Sequence, residues 1–194
     1  MSTTELPEYY CESKEQEALM EWQVLLTDGY GRIPEILERT LKDLNEDDLN
    51  RQPKPDCNSI SWLTWHLTRS QDRQIADLMG KEQLWIIDGW HTRFNREANP
   101  QDTGNRHTPE EVTAFRSPDV ETLLGYLRAV QERTNGYISS LSDADLDREL
   151  NEPRFQPLPT VGVRLISIMS DNLQHAGQAS YLRGILQGRE WSGR

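Results

Sequence analysis

Two histidines and an aspartate interrupt apolar stripes at helical spacing. His66 falls three residues after Leu63 and beside Leu67, while Asp171 follows Ile168 by three and precedes His175 by four, with Leu182 seven further on. At 3.6 residues per turn, Asp171 and His175 share one helix face, and His66 points with Leu63 toward the interior. An unpartnered carboxylate buried there costs on the order of several kcal/mol. One divalent cation would satisfy all three groups, because neutral imidazole nitrogen and carboxylate oxygen are standard donors to zinc, nickel and ferrous iron. Three protein ligands also leave positions open for water or substrate. Spacing alone leaves a second reading open, a buried His–Asp hydrogen-bonded pair with no metal.

Helices must position these groups. From Leu19 the apolar residues Leu19, Trp22, Leu26, Ile33, Leu37, Leu41 and Leu44 recur every three to four positions, but Asp28-Gly29-Tyr30-Gly31 and Pro34 predict a break before a main helix over roughly 32–43. A second helix, capped by Asn58 or Ser59 and stopping at Gly80, carries His66. Residues 81–116 read as a long irregular connection, with Thr108-Pro109-Glu110-Glu111 as the capping-box start of one short helix. Ser117-Pro118 is expected to open a third helix that ends near Ser140, and a fourth runs from about Val163 to Gly188 with Asp171 and His175 on it.

Four amphipathic helices without an alternating strand pattern predict an all-α four-helix bundle. The octets Leu44 to Arg51 and Leu141 to Arg148 resemble each other, and each lies between a long helix and a ligand-bearing one. The pattern is that of a duplicated helical hairpin, an internal pseudo-twofold repeat that brings helices two and four face to face.

Composition sets the surroundings. The 194 residues suit one domain, with residues 1–15 as a loose N-terminal segment and 16–190 as the bundle. A formal net charge of -11 with no Lys/Arg run argues against nucleic acid and anionic lipid as partners. No apolar run reaches membrane-spanning length, and Met1-Ser2-Thr3-Thr4-Glu5 lacks signal-peptide character, so a cytoplasmic protein is expected. Cys11 and Cys57 form no CxxC pair and read as free thiols.

Asn58 to Leu67, Trp85 to Phe94 ending in Gly-Trp-His-Thr-Arg-Phe, and Asp171-Asn172-Leu173-Gln174-His175-Ala176-Gly177-Gln178 together resemble the DinB/YfiT-like superfamily. The resemblance spans about residues 30–188 and is most specific from His175 to Gln178, followed by Tyr181-Leu182-Arg183-Gly184. It implies a bundle holding one divalent metal ion (zinc, nickel or iron) through His66, Asp171 and His175. Both fourth-helix ligands are often histidine in that superfamily; Asp171 departs from this and looks like the mycothiol-dependent maleylpyruvate isomerase branch. The implied chemistry is that of a low-molecular-weight thiol such as bacillithiol or mycothiol, in an S-transferase, isomerase or hydrolase acting on a small molecule. A non-catalytic metal-binding or ligand-binding stress-response protein is the alternative, and a homodimer is expected by the same resemblance.

Other residues complete the candidate site. Gln178, one turn beyond His175, reads as a hydrogen-bond partner of the ligand or as a bundle-packing amide. His91 stands on the connection as a base or further ligand, against the plainer reading of an exposed loop histidine. Trp85, Trp90 and Phe94 would wall a substrate pocket or anchor the loop to the core. Arg93 and Arg183 would meet a substrate carboxylate or pair with the many acidic residues. Cys57 reads as a small buried residue.

Overall fold

The computed structural model describes residues 20–192, so the N-terminal segment expected over residues 1–15, with Cys11, lies outside the described residues. Four long helices make the bundle: α1 (Trp22–Leu41), α3 (Ile60–Met79), α7 (Val120–Ser140) and α9 (Val161–Gln187). They pack in the ring order α1, α7, α3, α9, each against two neighbours. Short helices lie between them: α2 (Glu46–Asn50), α4 (Leu84–Ile87), α5 (Trp90–Arg93), α6 (Pro109–Ala114) and α8 (Asp143–Leu146). No strand forms among the described residues, and none of the described helices is long and apolar enough to cross a membrane.

The break expected between Asp28 and Pro34 does not occur, and α1 runs unbroken through it. Tyr30, Ile33, Leu37 and Leu41 form one fully buried stripe across the position. The Tyr30 hydroxyl donates to the Leu165 carbonyl on α9 at 2.7 Å. Gly29 is a packing residue, since a Cβ there would lie 2.6 Å from Met169 Sδ. Pro34 forfeits one hydrogen bond of the helix ladder, and burial on both sides of it outweighs that loss.

Side-chain caps set the other boundaries. Ser59 accepts from the Trp62 amide at the start of α3, and Gly80 ends it in the left-handed region at φ 62°. Helix α7 starts two residues beyond Pro118, because the Asp119 carboxylate caps it by accepting from the Thr122 amide at 2.6 Å. Helix α9 starts two residues before Val163, where Thr160 provides the cap. Both repeated octets fold alike, into α2 capped by Asn45 and α8 capped by Ser142. The hairpin α1–α2–α3 is thus matched by α7–α8–α9.

A polar thread crosses the core beside the candidate ligands. The Asn172 amide donates to Gln71 Oε1, Gln71 Nε2 donates to Thr134 Oγ1 at 2.8 Å, and Thr134 donates back to the Val130 carbonyl, all buried. It locks the register of α9, α3 and α7, since any slip would leave these groups unpaired in the interior.

The 81–116 connection is more ordered than expected. It contains α4 and α5 as well as α6, whose Thr108–Glu111 capping box is present. Two buried charges of α3 hold it down. The Asp72 carboxylate accepts from the amides of Leu84 and Trp85 at 3.0 and 2.8 Å and from the Tyr126 hydroxyl at 2.7 Å. Arg69 donates to the Asp102 carbonyl at 3.0 Å, to Gln83 Oε1 at 3.0 Å and to the Pro100 carbonyl at 3.3 Å.

Candidate metal centre

Helices α3 and α9 run antiparallel, so that His66 meets His175 near the level where Gln71 meets Asn172. Asp171 stands one turn from His175, and one donor atom from each of His66, Asp171 and His175 lies within 4.8 Å of the others. The two imidazole rings meet edge to face at 4.8 Å.

The placement corrects one expectation. Asp171 and His175 do not lie on the buried stripe of α9, which runs through Ile168, Asn172, Ala176 and Ala179. They flank it at the mouth of the α3–α9 groove, with 48% of the Asp171 side chain and 19% of the His175 side chain exposed. The inward step from Ile168 is four residues, to Asn172, and not three.

Each imidazole is held by an oxygen on its far side. His66 Nδ1 donates to the Thr103 carbonyl, and His175 Nδ1 donates to Gln178 Oε1 at 2.8 Å. A carbonyl oxygen can only accept, so each ring carries a proton on Nδ1, and in the neutral tautomer that this selects Nε2 is the nitrogen free to bind a metal. Burial lowers the His66 pKa, with further help from His175, and these outweigh the opposing hydrogen bond to Thr103 and the charge of Asp171. At neutral pH His66 is therefore a neutral donor.

An aromatic and acidic layer backs His66. Trp62 stacks on its ring with centroids 4.7 Å apart and planes 12° from parallel. The Trp62 indole N–H donates to His107 Nδ1 at 3.2 Å, which leaves His107 Nε2 to donate to Asp102 Oδ1 at 3.0 Å. Arg96 donates to the other oxygen of Asp102 at 2.7 and 3.0 Å. Burial pushes the Asp102 carboxyl up, but its bonds to Arg96 and His107 win and hold it below the usual range. Gly104, at φ 82°, lets this loop lie flat: a Cβ there would come 2.8 Å from Trp62, 2.9 Å from Trp65 and 3.2 Å from His66 Nδ1.

The other expected site residues lie elsewhere. His91 binds the Trp85 carbonyl through Nδ1 at 2.9 Å and secures the α4–α5 turn. Trp85, Trp90 and Phe94 are buried against Tyr126, filling the core beneath α4 and α5 instead of walling open space. The Arg93 guanidinium lies over the Trp90 ring at 4.1 Å. Arg183 donates to the Arg39 and Thr40 carbonyls at 3.0 and 2.7 Å, closing the last turn of α1. Cys57 is half-buried.

Asp102, Thr103, Gly104 and His107 were not legible as site residues, because they sit on a loop with no period to read. Trp62 was legible, since it precedes His66 by four on one helix and must lie beside it.

The model of the DinB superfamily matches residues 30–179 of this chain. The chain belongs to the DinB superfamily. No curated protein matches it. The crystal structure of a conserved protein from Enterococcus faecalis is 29% identical, covers 88% of this chain and 100% of its own, and superimposes with a TM-score of 0.81. In this DinB-superfamily chain the His66–Asp171–His175 cluster therefore lies on a bundle shared over nearly its whole length, between the two helices that the duplicated hairpins bring together.

Proposed function

We propose that this DinB-superfamily protein binds one divalent metal ion through His66 Nε2, a carboxylate oxygen of Asp171 and His175 Nε2. It then acts as a metal-dependent enzyme that uses a low-molecular-weight thiol on a small molecule, as an S-transferase, isomerase or hydrolase. The observation carrying this reading is the convergence of two imidazoles and a carboxylate from two different helices, each ring already oriented from behind.

The donor set fits such an ion. His175 Nε2 and Asp171 Oδ1 are 3.6 Å apart, close to the ~3.3 Å edge of a tetrahedron built on bonds of about 2.0 Å. That separation is long for a hydrogen bond, which counts against the metal-free His–Asp pair. A bound ion would lower the pKa of a thiol or water and supply a nucleophile at neutral pH. Thr103 and Gln178 hold the imidazoles at fixed angles, Trp62 shields His66 from water on one face, and the half-exposed Asp171 leaves an approach from solvent. An approach of that kind supports catalysis over a closed structural site.

Metal analysis of protein purified without chelators tests the reading. About one zinc, nickel or iron per chain is expected, lost in His175→Ala, together with metal-dependent conjugation of a thiol to a small electrophile. Protein that carries no metal and gains no melting temperature from any of the three ions would remove the proposal.

A further inference from the structure

A polar cavity of about 310 Å³ opens further along the same groove. Arg73 and Asp77 from α3, Lys81 just beyond its end, and Glu152, Arg154 and Arg164 from α9 and the segment before it line it. Arg73 follows His66 by seven residues on α3, and Arg164 precedes Asp171 by seven on α9. Seven residues are nearly two turns, about 10 Å of helix, so each cation shares a face with a candidate ligand. Because the helices are antiparallel, both offsets run toward the same end of the groove.

The charges there are not balanced. Glu152 is shared by Arg164 and Arg154, whose guanidinium lies 3.5 Å from its second oxygen. Arg73 donates to the neutral amide of Gln101 at 3.1 Å, and among the described residues neither Arg73 nor Lys81 forms an ion pair. Four cations thus face two carboxylates in a chain whose formal net charge is -11. A local excess of positive charge in an acidic protein draws anions to that spot, and guanidinium forks suit the paired oxygens of a carboxylate or phosphate.

We propose that this cavity is an anion subsite, holding a carboxylate or phosphate of a ligand whose other end lies at the metal centre. The second half of the statement rests on the metal reading above; the first does not. The subsite selects extended small molecules that carry an oxyanion about 10 Å from the reacting end, the two-turn offset of the helices. Arg73 and Arg164 take the place that Arg93 and Arg183 were expected to fill.

The test uses full-length protein, stripped with EDTA or loaded with zinc, and three probes: octanoate, inorganic phosphate and 8-mercaptooctanoate. Binding is read by NMR from the guanidinium signals of Arg73 and Arg164. Saturable shifts with octanoate or phosphate in metal-free protein are expected, and the two probes show which oxyanion is taken. Arg73→Gln and Lys81→Gln, both at exposed positions, should each weaken binding about tenfold with an unchanged melting temperature. Absence of any saturable shift, or affinity unchanged from wild type in both the R73Q and K81Q proteins, would overturn the subsite. Zinc-loaded protein should bind 8-mercaptooctanoate about tenfold or more tighter than octanoate. If octanoate binds as expected and zinc adds nothing for the thiol, the metal and thiol reading fails while the anion subsite stands.

Discussion

Trp62 lies flat against His66 while its indole N–H reaches His107, so one side chain couples a candidate metal ligand to the Asp102–His107 pair on the loop. The site is held from two directions. One is the helix pair that supplies the donors, and the other is a loop that fixes how His66 faces them.

Removing the coupling should weaken metal binding without abolishing it. Trp62→Ala is expected to lower zinc affinity by about tenfold to a hundredfold, the usual scale for groups that orient a ligand. Competition with a chromogenic chelator measures this. Trp62→Phe keeps a ring against His66 but loses the N–H, so it should fall between wild type and alanine; affinity equal to wild type in both variants would rule out the positioning role.

Gly104 should tolerate no side chain. Gly104→Ala places a Cβ into Trp62 and Trp65 at a positive φ, and a loss of about 2 kcal/mol or more in unfolding free energy is expected from urea denaturation. Gly80 also has positive φ but faces open space, so Gly80→Ala should cost about 1 kcal/mol and leave zinc affinity unchanged.

Acid should loosen the loop before the bundle. The folded-state pKa of Asp102 is depressed, so its contribution to stability is complete above the unfolded carboxyl value of about 3.9 and disappears as pH falls from there through the folded value. The protection of residues 96–107 against hydrogen exchange, taken relative to the intrinsic rate at each pH, is expected to fall across that window in wild type. In Asp102→Asn the loop should exchange faster at pH 6 and respond less to acid.

His91 and His175 separate two kinds of histidine. His91→Ala should keep the full metal content measured by mass spectrometry, since its ring is committed to the Trp85 carbonyl. His175→Ala should lose metal, and so should Asp171→Ala. Loss of metal in His91→Ala would mean that the connection supplies a ligand after all.

Helical period made the bundle legible, because Leu63, Leu67 and Ile75 on one stripe and Leu165, Ile168 and Leu182 on another can be read directly from spacing. The same arithmetic placed Asp171 beside His175 on one helix. It failed by one position on depth, since Asn172 and not Asp171 continues the buried stripe. Pro34 and Gly29 misled because local propensity opposes a helix there, whereas the α9 surface against Gly29 favours one. Trp85, Trp90 and Phe94 looked like pocket walls because aromatic residues in a long loop serve either purpose, and only contact with Tyr126 decides between them.

The bond from His66 to the backbone of Thr103 also bears on how this family can vary. A main-chain oxygen is supplied by every amino acid, so the identity of residue 103 is free to drift while its position is not. What the site cannot absorb is a change in the number of residues within the parts of the Gly80–Thr103 stretch that Arg69 and Asp72 hold, which would slide a different peptide unit behind the imidazole. Insertions in this stretch should therefore be confined to segments that Arg69 and Asp72 do not pin, and the spacing there should be kept more strictly than the letters.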